Sequence, residues 1–113
     1  MSSESAPAAT ADRAEIIAHA VLATPGVHDL HAGAVGQVAT YLPGRRVNGI
    51  RARPDKHDAD GGYDIHIVLA WGAAALTTAD AVRASVQAVA PGRVDVTIED
   101  VAPKSTPRLE TSL

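Results

Sequence analysis

A chain of 113 residues and 11.6 kDa holds one domain, with room for tails. Its 46% hydrophobic and 20% charged residues exclude a wholly disordered chain, and the lack of cysteine excludes disulfide frameworks, thiolate metal sites and thiol nucleophiles. A net charge of -3, a pI near 5.9 and only three aromatic residues (Tyr41, Tyr63 and Trp71) argue against a protein held mainly by nucleic-acid phosphates or base stacking.

Residues 1–11 are rich in Ser, Ala and Pro, show no apolar periodicity and read as a disordered tail. The start, Met1-Ser2-Ser3-Glu4-Ser5, has neither a cationic segment nor an apolar run, so no signal peptide is expected. A short amphipathic helix is predicted over 12–23. Asp12 and Glu15 have the spacing of a capping box, Ile16, Ile17, Ala20 and Val21 form its apolar stripe, and Pro25-Gly26 ends it. Strands are predicted at 27–31 and 35–42, the second closing on the turn signal Pro43-Gly44. A third covers 47–53, with Ile50 and Ala52 on one face, Arg51 and Arg53 on the other, and a bulge at Gly49. The polar loop 54–62 leads into the strongest strand, 63–71, where Tyr63, Ile65, Ile67 and Leu69 alternate with Asp64, His66, Val68 and Ala70. A second helix is predicted over 76–90, with Val82, Val86 and Val89 as its stripe and Pro91-Gly92 as its stop. A last strand occupies 93–101, and residues 102–113, with Pro103 and Pro107, read as a second tail.

The order α-β-β-β-β-α-β, with one apolar face on each later strand and one stripe on each helix, predicts a single α+β domain over 12–101. Its architecture is a two-layer sandwich, both helices lying on one face of a mixed, mainly antiparallel sheet. The less regular strands at 27–31 and 35–42 are the expected edge. The 47–53 and 63–71 strands have a preferred register, Ile50 against Ile65, Arg51 against Asp64 and Ala52 against Tyr63. A one-residue slip would turn the core residues outward. No uncharged stretch is long enough to cross a bilayer, so a cytoplasmic location without direct membrane insertion is expected.

Residues of the types that carry chemistry are present but poorly arranged. His28, Asp29 and His31, with His57, Asp58, Asp60 and His66, offer imidazole and carboxylate ligands. On a strand, however, His28 and His31 point to opposite faces, and no HExxH or HxH spacing occurs, so no metal is expected. Asp58-Ala59-Asp60-Gly61 matches part of a calcium loop, yet Lys56 stands at its first position and Ile67 where a bidentate Glu belongs. A polar turn accounts for the same residues. Ser85 is the one serine inside the folded unit and sits mid-helix, Glu99-Asp100 lacks an evident acid or base partner, and no glycine-rich phosphate loop appears. Neither catalysis nor a cofactor is expected.

Two features suit recognition. Arg45, Arg46, Arg51 and Arg53 place four guanidinium groups within nine residues, fit for phosphate, an acidic lipid head group or an acidic partner. A plainer alternative pairs Arg51 with Asp64 and leaves the rest solvated. Arg45 and Arg46, placed in a turn, are the better interface candidates. Trp71 is either a lid on the core or an interface anchor, and Gly72 ending the strand beside it favours the lid.

The succession also has a family likeness. A helix with two adjacent isoleucines leads into Pro25-Gly26-Val27, and Gly49-Ile50 opens a strand. Tyr63-Asp64-Ile65-His66-Ile67-Val68-Leu69-Ala70-Trp71-Gly72 closes on aromatic-Gly, and the valine helix precedes Val94-Asp95-Val96-Thr97-Ile98-Glu99-Asp100-Val101. From Asp12 to Val101 this resembles the alkaline-shock-protein family of bacterial envelope stress response proteins. Trp71 replaces the tyrosine usual there, and the loop at 54–62 is longer. The resemblance implies a non-enzymatic cytoplasmic interaction or scaffold protein at the inner face of the cell membrane. It implies a membrane-anchored protein partner, a homo-oligomer, and no catalytic or cofactor residues to carry over. Arg45, Arg46, Arg51, Arg53 and Trp71 are the expected partner interface. The alternative is a small nucleic-acid-binding α+β domain using its arginine-rich strand edge.

Overall fold

Hydrophobic periodicity places the elements in chain order, and most of them stand where it predicts. The computed structural model describes residues 5–104 apart from 34, 56 and 57, with the side chains of 5–12, 45 and 54–60 outside the description. The elements are α1 (Ser5–Leu22), β1 (Val27–Leu30), β2 (Ala39–Leu42), β3 (Arg45–Asn48), β4 (Ile50–Asp55), β5 (Asp58–Leu69), α2 (Ala75–Gln87) and β6 (Arg93–Val101). The fold is α+β in the predicted order, with the third predicted strand divided in two.

Helix α1 begins at Ser5, so Asp12 lies inside it rather than at its cap, and residues 5–11 of the expected tail are helical. Alanine is the best helix former, and Pro7 falls in the first turn, where a missing N–H costs nothing. Ala14, Ile17 and Val21 are buried, whereas Ile16 is half exposed.

Strand β5 is the axis of the sheet. Along one edge it pairs antiparallel with β4 over its first half and with β1 over its second, and along the other it pairs parallel with β6. Parallel neighbours need a crossover connection, and α2 supplies it. The β4–β5 register is Ile50↔Ile65, Arg51↔Asp64 and Ala52↔Tyr63, as the apolar pattern requires. The hairpin is longer than expected, because β4 runs to Asp55 and β5 starts at Asp58. Much of the predicted loop 54–62 is therefore strand. Pro54 falls where the ladder slips between Arg53 and Asp55, a position that tolerates a residue with no N–H to donate.

Gly49 does more than form a bulge. It separates β3, which pairs with β2 as a two-stranded sheet, from β4, which joins the main sheet. Its φ of 82° is a left-handed conformation that glycine adopts freely. Its N–H donates to the Val38 carbonyl at 2.7 Å, and its carbonyl accepts from the His66 N–H at 2.9 Å. The same turn thus ties the small sheet to the centre of the large one.

The inward residues of β5 (Tyr63, Ile65 and Ile67) meet Ile17 and Val21 of α1, Val82 and Val86 of α2, Ile50 and Val94 in one apolar cluster. Both helices therefore cover the same sheet face. Ile17, Ile50, Ile65 and Ile67 are wholly inaccessible to solvent, and each such burial contributes about 1.5–3 kcal/mol. Ala102, expected to open the C-terminal tail, is buried, and its N–H donates to the Leu69 carbonyl at 2.8 Å. Residues 105–113 of that tail lie outside the described residues.

Candidate interaction surface

Because side chains alternate along a strand, the residues between the core positions populate the sheet face away from the helices. Arg51 and Arg53 of β4, Asp64 and His66 of β5, and Asp95 and Glu99 of β6 stand there. Asp64 and Asp95 are side by side in the β5–β6 register, two carboxylates that repel one another. Arg53 resolves this by bridging both, with Nη1 3.2 Å from Asp64 and Nη2 on Asp95. Arg51 is the residue directly opposite Asp64, yet it is exposed and makes no ion pair among the described residues. The longer diagonal reach is open because Arg53 faces Gly62, which has no side chain, and from there one guanidinium fork spans three strands.

On the other end of this face the β5–β6 ladder shifts between Ile67 and Val68, leaving Glu99 as the extra residue of a bulge. The bulge aims its carboxylate at His66 Nδ1. His31 Nδ1 accepts a hydrogen bond from the Gly33 N–H at 2.9 Å, and His57 lies outside the described residues. Among the described residues no three His, Cys, Asp or Glu side chains converge.

The four arginines do not form one patch. Arg45 and Arg46 belong to β3 rather than to a turn. The turn is Pro43-Gly44, and Leu42 pairs with Arg45 across it. Arg46 stacks over its cross-strand neighbour Tyr41, 5.8 Å from the ring centroid, a contact worth about 0.5–1 kcal/mol at an exposed site. The Arg45 side chain is outside the description. Arg51 and Arg53 stand on the other sheet, and Arg53 is taken up by two carboxylates.

Trp71 is 60% exposed, which overturns the expectation of a core lid. Simple alternation would put it on the buried face with Ile67 and Leu69, but β5 ends at Leu69. There the chain turns, with the Ala73 N–H on the Ala70 carbonyl, and the indole swings clear of the core. Leu76 (82% exposed), Val101 (45%) and Leu22 (47%) are also open. All belong to one end of the fold. Val101 is in register with Leu69, and the Gly26 carbonyl just beyond α1 accepts the Ala70 N–H at 2.8 Å. Sequence reasoning missed Leu22, Leu76 and Val101 as surface residues. For Leu76 a signal existed, since it falls off the buried line Thr78, Val82 and Val86.

No family model, curated protein or solved structure matches this chain.

A second apolar surface lies at the far end of α2. The predicted stripe included Val89, but burial follows Thr78, Val82 and Val86 at four-residue steps and leaves Val89 45% exposed. Ile16, the residue out of phase on α1, faces it. Together with Glu15, His19 and Ala20 they line a shallow groove of about 560 Å³.

Proposed function

We propose that this chain is a non-enzymatic interaction module of the cell-envelope stress response, docking on a membrane-anchored protein partner at the inner face of the cell membrane. The observation that carries docking is the exposed apolar end, where Trp71 stands 60% open beside Leu76 at 82%. Exposed tryptophan anchors flanked by apolar side chains dominate binding energy at protein interfaces. The class of partner rests on the resemblance to the alkaline-shock-protein family. Among the described residues no helix is long and apolar enough to cross a membrane, so membrane association is assigned to the partner. Nucleic-acid binding is not adopted, because the four arginines are divided between two sheets and Arg53 is neutralised by Asp64 and Asp95.

The test is fractionation of native cells followed by photo-crosslinking from position 74, exposed between Trp71 and Leu76. Recovery of the chain with membranes, crosslinked to one integral membrane protein and released by Trp71→Ala, is the expected result. Recovery only in the soluble fraction would overturn the membrane partner. Membrane recovery unchanged in both Trp71→Ala and Leu76→Ser would remove this end from the interface.

A further inference from the structure

Strand β6 closes one side of the main sheet and, among the described residues, pairs only with β5. In a parallel ladder alternate residues address the neighbouring strand, so the residues between them turn their N–H and C=O groups to the open side. Such edges are usually blunted by proline, lysine, a bulge near the middle or a covering segment. Between Arg93 and Ile98 there is no proline, no lysine and no break in the register. The one cover seen among the described residues is the Arg83 side chain of α2, whose Nε donates to the Val94 carbonyl at 3.2 Å. Val96 and Ile98 on the helix side are only partly buried, although both pack against the core.

We propose that this edge pairs with the same edge of a second copy, antiparallel about a two-fold axis through Val96. Charge selects that register. An axis through Thr97 would set Asp95 opposite Glu99 of the second copy twice, and like charges directly opposite repel. With the axis through Val96, Arg93 stands opposite Glu99 of the second copy at both ends of the contact. Asp95 then faces Thr97, and Val94 faces Ile98 on the helix side. Arg93 is available for this, with its side chain 67% exposed and its Nε 3.9 Å from Asp95, which Arg53 already holds. Glu99 keeps His66 on one oxygen and accepts Arg93 of the second copy on the other. The apolar rows of both copies continue across the seam, completing the burial of Val96 and Ile98. The contact uses the middle of β6 and leaves Trp71 free, so it stands independently of the partner-docking end.

The experiment is sedimentation of the full chain over a range of concentrations, with two charge reversals. Wild type is expected to dimerise. Arg93→Glu and Glu99→Arg should each raise the dissociation constant on the order of tenfold or more, since each sets two like-charged pairs face to face. Mixing the two variants should restore a dimer of one copy of each, because both seams then carry opposite charges. Circular dichroism of each variant separates loss of pairing from loss of fold. If either fails to fold, Arg93→Gln and Glu99→Gln replace the pair, and each should weaken dimerisation less than reversal. A chain that is monomeric up to millimolar concentration overturns the proposal. So does a dimer that both variants retain, or one that the mixture fails to restore.

Discussion

Gly49 offers a direct measure of how far the corner between the two sheets depends on one missing side chain. Gly49→Ala meets two separate obstacles. At a φ of 82° an alanine is held in the left-handed region, at a cost of about 1–2 kcal/mol. Its Cβ would also lie 2.8 Å from the His66 carbonyl oxygen and 2.8 Å from Leu30 Cβ, both anchored in paired strands. Neither neighbour is the flexible end of a side chain, so backbone must move, and such overpacking costs about 1–3 kcal/mol. Alanine stiffens the unfolded chain and returns about 0.4–1 kcal/mol. The expected net loss is about 2–4 kcal/mol, a large share of the ~5–15 kcal/mol that holds a domain together. Gly72→Ala is the control, since Gly72 has the same φ of 82° but nothing within 4 Å of an added Cβ. Its loss should be about 1 kcal/mol or less. Urea denaturation of both variants, followed by far-ultraviolet circular dichroism, gives the two values at a common slope. If Gly49→Ala loses no more than Gly72→Ala, close approach at the corner contributes nothing and the steric account fails.

Three further outcomes follow from the packing and the charges. Ile65→Val should cost about 0.5–1.5 kcal/mol and Ile65→Ala about 2–5 kcal/mol in the same urea titration, because the site is wholly buried between the helices and the sheet. Arg53→Met leaves Asp64 and Asp95 adjacent with only the distant Arg93, 3.9 Å from Asp95, as counter-ion, and should cost about 0.5–1 kcal/mol at low salt. Screening should shrink that loss in concentrated NaCl. An equal loss at both salt concentrations would show that the arginine acts through packing alone. Trp71, the only tryptophan, should emit as a solvated indole and be quenched readily by acrylamide. A blue-shifted, protected emission from the monomer would place it back over the core.

The local pattern carried much of this fold. Alternation along 63–69 named the buried row Tyr63, Ile65, Ile67 and Leu69, and with Ile50 it determined the hairpin register. A slip would have exposed four apolar side chains at once. Helix phase was less well determined. The predicted stripe on α1 took in both Ile16 and Ile17, and packing against α2 and the sheet buried Ile17 while leaving Ile16 half exposed. The same ambiguity hid Val89, so the groove between Ile16 and Val89 was not visible before the helices were brought together.

What the residues determined by themselves is the α+β class, the order of elements and the identity of the sheet's inner row. These follow from periodicities of two and 3.6 residues that need no distant partner. Tertiary structure alone decided which arginine meets Asp64, because the choice of Arg53 over Arg51 depends on Asp95, which enters from β6. It alone turned Gly49 from a bulge into a change of sheet, since that requires Val38 and His66 on either side of one peptide. It also put Trp71 outside. The strand period ends where β5 stops pairing, and only the positions of α1, α2 and β6 show that none of these elements covers the indole.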